Sequence, residues 1–393
     1  MDFGNRIGRT LGALISIYAL RMLGLFMIFP VLGIYAHQLR GETPFLIGVA
    51  YGAYGLTQAI FQIPFGILSD KFGRKRLIAI GLIIFAVGSV VAALSDSIYG
   101  LIIGRFIQGM GAVSAVVAAL VADLIPPQQR AKAMAVIGLS IGVMFSASLI
   151  LSPYLAGKLG FASLFWIIAA LSLAAIAVLY AVVPDPQQRI SYAEQVEPIK
   201  LKAMWLNPQL IRLNIGIFVL HTLLTASFVV VPMELFALGA VTSREHWAIY
   251  LLAIFMSYML MAPLLWWAEK QGRQVVAFVV AFAGLFCAEI WLGVAGQALI
   301  PLAGGLLLFL AAFNLLEALL PAWVSRVAPA QAKGAALGIF ATAQFLGIAT
   351  GGYLAGTILN FFPAQYVFFA CSGLVVIALC AANGLKSLTN KGA

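Results

Sequence analysis

Residues 66–77 read GILSDKFGRKRL. Five of the seven positions from Asp70 to Arg76 are charged, in a chain of 393 residues that is only 9% charged and 63% hydrophobic. A soluble domain carries about 25% charged residues. So much apolar surface needs lipid as its solvent, and the charged stretch marks a place where the chain leaves the bilayer. Gly73, inside that stretch, supplies a tight turn between two apolar helices.

Outward from this loop, the chain divides into apolar runs of the length that a bilayer of about 30 Å requires. They lie near 12–36, 45–69, 77–95, 98–123, 132–157 and 161–183, then near 209–236, 245–268, 274–294, 297–322, 333–358 and 363–385. The polar interval 184–208, PDPQQRISYAEQVEPIKLKAMWLNP, separates two sets of six. The expected domains are a six-helix bundle over 1–183, a linker over 184–208 with an amphipathic turn along the membrane, and a second bundle over 209–393. The basic, then apolar N-terminus resembles a signal peptide. Arg21 interrupts the run and no small-residue cleavage site follows, so it reads as a retained first helix. No soluble domain is expected after the last span.

Lys and Arg set the orientation. With both termini cytoplasmic, eighteen fall on that side, three on the other (Arg40, Lys158 and Arg244), and Arg21 and Arg105 fall inside spans. The formal net charge of +10 then belongs to loops facing anionic headgroups rather than to nucleic-acid binding. Cys287, Cys371 and Cys380 sit in apolar runs without metal-ligand spacing and read as small buried residues.

The opening stretch has an echo. QIPFGILSDKFGRK (62–75) aligns with MAPLLWWAEKQGRQ (261–274), matching Pro64 with Pro263, Asp70 with Glu269, Lys71 with Lys270, Gly73 with Gly272 and Arg74 with Arg273. RAKAMA (130–135) and KGAALG (333–338) form a second pair at a similar offset. Two parallel six-helix repeats are a transporter arrangement, with the site between the halves near the midplane.

On these residues the chain resembles the major facilitator superfamily. GILSDKFGRK matches its loop 2–3 pattern at Gly66, Leu68, Asp70, Gly73, Arg74 and Lys75. LIIGRFIQGMGA (101–112) resembles its fourth-helix pattern at Arg105, Gln108, Gly109 and Gly111, and LGLFMIFPVL (23–32) the first-helix pattern of the twelve-helix drug/proton antiporter branch. The whole is similar to YajR-type efflux permeases. One departure is SLILSPYLAG (148–157), where Ser148, Ser152 and Ala156 stand in a region that antiporters usually fill with glycine. The resemblance implies an all-α integral membrane protein of two pseudo-symmetric bundles in a bacterial inner membrane. It also implies a conformational latch, in which Asp70 faces the N-terminus of the eleventh span in the outward-open state. Arg74 would pair with Asp70 and with Asp123 at the end of the fourth span.

A charge near the midplane costs about 2.5–3.5 kcal/mol on insertion scales and needs a reason. Arg105, with Gln108 on its face, either binds an anion or tunes a carboxylic acid, or it ties backbone carbonyls together. Glu317, with Asn314 on its face, suits a reversible proton carrier or a fixed interhelical bond. His221 in the seventh span is a proton relay or a satisfied neutral histidine. Arg21 lines the cavity or snorkels. Tyr54, Gln58 and Gln62 share one helical face and, with Gln344 and Phe345, suit an amphipathic substrate or interhelical packing. Glu289, on the peripheral ninth span, is a weaker candidate.

The sequence has no HExxH, GxSxG, P-loop or Cys/His cluster. It therefore reads as no enzyme, with no cofactor or metal. The expected partners are a small-molecule substrate, protons and membrane lipid, without nucleic acid, for a chain acting as a monomer. The leading expectation is proton-coupled efflux of small amphipathic or drug-like molecules. A symporter importing a polar metabolite such as a sugar, and a non-transporting sensor, are the alternatives.

Overall fold

The computed structural model describes residues 3–125, 127–185, 206–239, 246–296, 298–329 and 333–386. Nearly the whole of the expected 184–208 linker lies outside the described residues. Within them are α1 (Phe3–Phe26), α2 (Leu32–Tyr35), α3 (Pro44–Phe72), α4 (Arg74–Leu94), α5 (Ile98–Met110), α6 (Ser114–Leu124), α7 (Pro127–Leu159) and α8 (Phe161–Val182). The second half contributes α9 (Pro208–Ala237), α10 (His246–Lys270), α11 (Gln274–Val294), α12 (Leu299–Val327), α13 (Lys333–Phe361) and α14 (Gln365–Ala382). Among the described residues, twelve segments are helical and apolar enough to cross a membrane. Helices are what lipid demands, because every backbone N–H and C=O must be satisfied inside the segment.

Local chemistry sets the ends. Pro44 and Pro208 occupy first-turn positions behind Thr43 and Asn207, whose side chains accept the backbone N–H groups of Leu46 (3.2 Å) and Gln209 (2.9 Å). Gly73 separates α3 from α4 at φ 96°, a conformation that a side chain would strain.

Two expected spans are broken. The first, read as 12–36, starts earlier as α1, leaves the helix at residues 27–31 around Pro30 and resumes as α2. The fourth, read as 98–123, breaks at residues 111–113 between α5 and α6. Each break frees backbone groups at membrane depth, and each is satisfied by a side chain from another helix. Tyr51 on α3 accepts the N–H of Gly33 (3.1 Å) and lies 2.9 Å from the Phe29 carbonyl and 3.1 Å from that of Phe228 on α9. Arg21 on α1 donates to the Gly111 carbonyl (3.1 Å).

Helix neighbours repeat between the halves. In the first, α1 packs on α7 and α8, α3 on α5, and α4 on α5 and α8; in the second, α9 packs on α13 and α14, α10 on α12, and α11 on α12 and α14. Each contact has its counterpart, so the repeat read from two loops extends to the architecture. The halves meet chiefly through α3 against α13 and α7 against α10. At the Gly41 end this seam is glycine on glycine. A Cβ added to Gly52 would sit 2.7 Å from the Ala349 carbonyl oxygen, and one on Gly352 would sit 2.7 Å from the Gly52 nitrogen. Only missing side chains let the backbones approach so closely. At the Asp70 end the halves separate. A Cβ on Gly138 of α7 or Gly338 of α13 would meet nothing within 4 Å.

Candidate functional site

The separation encloses a cavity of about 380 Å³ between the halves. Gly138, Ser325 and Gly334, all near the Asp70 end, line its mouth. Its walls are mostly apolar, with polar groups from both halves, as an amphipathic substrate requires.

The wall of the first half is built around Arg21, which is 2% exposed. It neither snorkels nor lines the cavity. Its guanidinium donates to Ser114 Oγ (2.7 Å), Tyr54 OH (3.0 Å), Gln58 Oε1 and the Gly111 carbonyl. All four acceptors are neutral, and among the described residues no carboxylate pairs with it. Gln58 in turn donates through Nε2 to Gln62 Oε1 (2.9 Å). Gln62 and Ser114 reach the cavity, whereas Tyr54 and Gln58 stand behind them. The i, i+4, i+8 spacing of Tyr54, Gln58 and Gln62 thus becomes a hydrogen-bonded file running from the buried cation to the cavity.

Arg105 belongs to a second network, deeper in the half. Its Nη1 donates to Gln108 Oε1 (2.9 Å), its Nε reaches the Ala50 carbonyl (3.4 Å), and Gln108 Nε2 donates to Ser89 (2.7 Å). Neither residue lines the cavity, and among the described residues Arg105 pairs with no carboxylate. This corrects the reading of Arg105 as a residue that tunes a neighbouring acid. Its side chain ties α3, α4 and α5 together and stacks on Tyr54, 5.0 Å from the ring centroid.

The second half presents Glu317, Asn314 and Gln344 to the cavity. Behind them His221 is 1% exposed, with Nδ1 3.3 Å from the Ile217 carbonyl. A carbonyl only accepts, so Nδ1 carries the hydrogen and Nε2 is left as an acceptor. Gln344 Nε2 donates to it at 2.7 Å and lies 3.5 Å from Glu317 Oε1. Glu317 Oε2 is 3.7 Å from His221 Nε2 and has no hydrogen-bond partner among the described residues. Asn314 donates to Ser257 on α10 (3.0 Å). Phe345, read as a cavity residue, instead packs its ring against Tyr54 in the closed seam, 6.2 Å between centroids. Glu289 is fully buried away from the cavity and accepts from Ser227 (2.9 Å).

Tyr18, Ser114 and Tyr258 line the cavity without having been singled out in the sequence. Tyr18 hydrogen-bonds Ser114 and lies within electrostatic reach of Arg21 and Glu317. Tyr258 bonds Ser146 across the halves at 3.1 Å. Arg21 heads the first turn-spaced set on α1, and Tyr18 lies three residues before it on the same face. That spacing was the available signal.

At the cavity's mouth, the opening stretch forms the expected triad. Arg74 Nη1 lies 2.6 Å from Asp70 Oδ1, and its Nε donates to Asp123 Oδ2 at 3.0 Å. Arg74 is 6% exposed, and it also donates to Ser69. Gly66 fits a flat contact, where an added Cβ would lie 3.8 Å from the Ala115 Cβ. The echo in the second half reverses one charge, Asp123 becoming Arg326. Glu269, opposite Asp70 in the repeat, pairs with Arg326 at the end of α12 (2.6 Å), the place that Asp123 holds in the first half.

Residues 14–352 match the family described as the Major Facilitator Superfamily. The chain is 44% identical to the inner membrane transport protein YajR of Escherichia coli (strain K12) over 372 residues, covering 94% of this chain and 82% of that one. It is 30% identical to the quinolone resistance protein NorA of Staphylococcus aureus over 209 residues, about half of each chain. A bacterial homolog of the human lysosomal transporter Spinster, solved in an inward-facing and occupied conformation, shares the fold. Its TM-score is 0.73 at 14% identity, over 95% of either chain.

Proposed function

Because the chain belongs to the major facilitator superfamily, and is on that ground a multi-pass inner-membrane transporter, we propose that it exports small amphipathic molecules in exchange for protons by alternating access. The observation that carries this reading is the cavity, whose one carboxyl group among the described lining residues is Glu317. An ionisable group facing a transport cavity is the residue a coupling ion uses. Behind it, Gln344 Nε2 lies 3.5 Å from Oε1 and His221 Nε2 stands 3.7 Å from Oε2. The excess of Lys and Arg at the Asp70 end supports a cytoplasmic side there, and in this reading the cavity loads from inside.

The test is transport by purified protein in liposomes with an imposed pH gradient. Amphipathic substrates should move against the proton flux. Substrate movement with no proton movement overturns the coupling, movement in the same direction as protons overturns exchange, and binding without movement overturns transport.

The Asp70–Arg74–Asp123 triad acts in this proposal as the latch that favours the outward-open state. The ion pairs of the triad are intact in the state open at the Asp70 end, so the bias comes from Asp70 facing the N-terminus of α13 once that end closes, worth about 0.3–1 kcal/mol and up to about 2 where partly buried. Asp70→Asn is expected to raise the population open at the Asp70 end and to slow transport severalfold. Spin-label distances across that end measure the population. An unchanged distribution with normal transport overturns the latch.

A further inference from the structure

We infer that the cavity selects a dipolar substrate, a small amphipathic zwitterion with its anionic group on the wall of the first half and its amine on the wall of the second. This rests on the proposed transport role of the cavity and names the class of molecule it takes.

The argument is one of hydrogen-bond direction. A guanidinium has donors only, so Gln58 must turn Oε1 toward Arg21. Its Nε2 then points onward and donates to Gln62 Oε1 (2.9 Å). Gln62 has spent its acceptor and offers N–H groups to the cavity it lines. Ser114 Oγ accepts from Arg21 at 2.7 Å and is hydrogen-bonded to Tyr18, so its hydroxyl is already occupied. The first wall therefore ends in the N–H groups of Gln62, backed by a buried cation that no carboxylate pairs with among the described residues. A buried charge left unpaired is costly, and a substrate anion within reach of Gln62 relieves it.

The second wall runs the other way. The Ile217 carbonyl fixes the hydrogen of His221 on Nδ1, and His221 Nε2 takes its hydrogen bond from Gln344 Nε2 (2.7 Å). What remains toward the cavity is the Gln344 carbonyl oxygen beside the carboxyl group of Glu317, whose Oε2 is turned in toward His221 Nε2 (3.7 Å) and whose Oε1 has only the long contact to Gln344 Nε2 (3.5 Å). This wall ends in acceptors and carries a carboxyl group, so it suits an ammonium. The two walls face each other across apolar surface from Met261, Leu337 and Phe340, which fits an apolar spacer between the charges. Such an amine also competes with the proton for Glu317, so the substrate class agrees with exchange.

The test uses three probes on one skeleton: an aminoalkyl-phenylalkanoate zwitterion, its primary amide (cation only) and its N-acetyl derivative (anion only). Binding is read by calorimetric titration in lipid nanodiscs, with no gradient. The zwitterion is expected to bind about tenfold or more tighter than either derivative, since each charged end gains charge-assisted hydrogen bonds. Gln62→Leu should weaken the zwitterion and the anion by about tenfold and leave the cation unchanged, whereas Glu317→Gln should do so for the zwitterion and the cation and spare the anion. A merely structural role for Gln62 would shift all three probes together. Equal binding of the three, binding of none, or variants that do not discriminate overturn the inference. Without a gradient, this readout is independent of coupling. Proton-driven exchange without dipolar preference sinks the inference alone, and dipolar preference without proton-driven exchange sinks the proposed function alone.

Discussion

Leucine in place of Gly352 is expected to hold the transporter away from the state described here and to reduce transport by an order of magnitude or more. Gly352 lies where α13 crosses α3 between the halves. A Cβ there would meet the Gly48 carbonyl oxygen and would stand 2.7 Å from the Gly52 nitrogen and 3.1 Å from its Cα. All three are backbone atoms and cannot swing aside as a side chain would. Overpacking of this kind costs about 1–3 kcal/mol even where neighbours relax. The strain exists only while the Gly41 end is closed, so parting the halves relieves it. A differential cost of about 1–3 kcal/mol shifts a two-state population by about 5–150-fold. Cysteines placed at the Gly41 end should become more reactive, and spin-label distances across that end should lengthen. Gly338→Leu is the control. It sits on the same helix, but a Cβ there meets nothing within 4 Å in the state open at the Asp70 end, so it should not part the Gly41 end; the one shift it can bring, from crowding the Asp70 end as that end closes, is in the opposite sense. Equal behaviour of the two variants would refute the close-packed seam.

The contrast between these two glycines shows what the sequence can and cannot disclose. Both read as small residues in an apolar run. Only the crossing of α3 and α13, an encounter between residues some 300 positions apart, makes one of them indispensable. The spans themselves were legible because lipid imposes a length and an apolar composition on each helix. The span read as 274–294 coincides with α11. The repeat was legible because Asp70, Gly73 and Arg74 return as Glu269, Gly272 and Arg273. The breaks at 27–31 and 111–113 were not. A run such as FIQGMGAVSAV gives no sign that its helix opens, since the freed Gly111 carbonyl is satisfied by Arg21 from a different span. For the same reason Arg21 was read as lining the cavity or snorkelling. Its actual partners lie on α3 and around the break between α5 and α6. Tyr18 escaped notice because a tyrosine in an apolar helix is unremarkable until Ser114, from a different span, is placed beside it.

Glu317→Gln is expected to abolish most pH-gradient-driven transport, a loss on the order of tenfold or more, while the variant still folds. The substitution keeps the shape and replaces a group that can carry a proton with one that cannot. Packing is spared because Glu317 touches the cavity rather than the core, and Gln344, its polar neighbour, still finds an oxygen at Oε1. The geometry separates this residue from the other buried acid. Glu289 is fully enclosed and bonded to Ser227 at 2.9 Å, with no access to the cavity through which a proton would enter or leave. Glu289→Gln should therefore retain gradient-driven transport and show its effect, if any, in thermal stability. The two variants are compared in liposomes by substrate flux with a pH gradient and by exchange of labelled for unlabelled substrate without one. Loss of the first with retention of the second in Glu317→Gln identifies a coupling residue, because exchange needs the cavity and the conformational cycle but no net proton movement. Exchange is read at saturating substrate, so the weaker binding expected of Glu317→Gln does not mask it, and loss of both there would make Glu317 a structural rather than a coupling residue. Full retention of both would leave the cavity without a proton site in this half and would sink the proposed coupling.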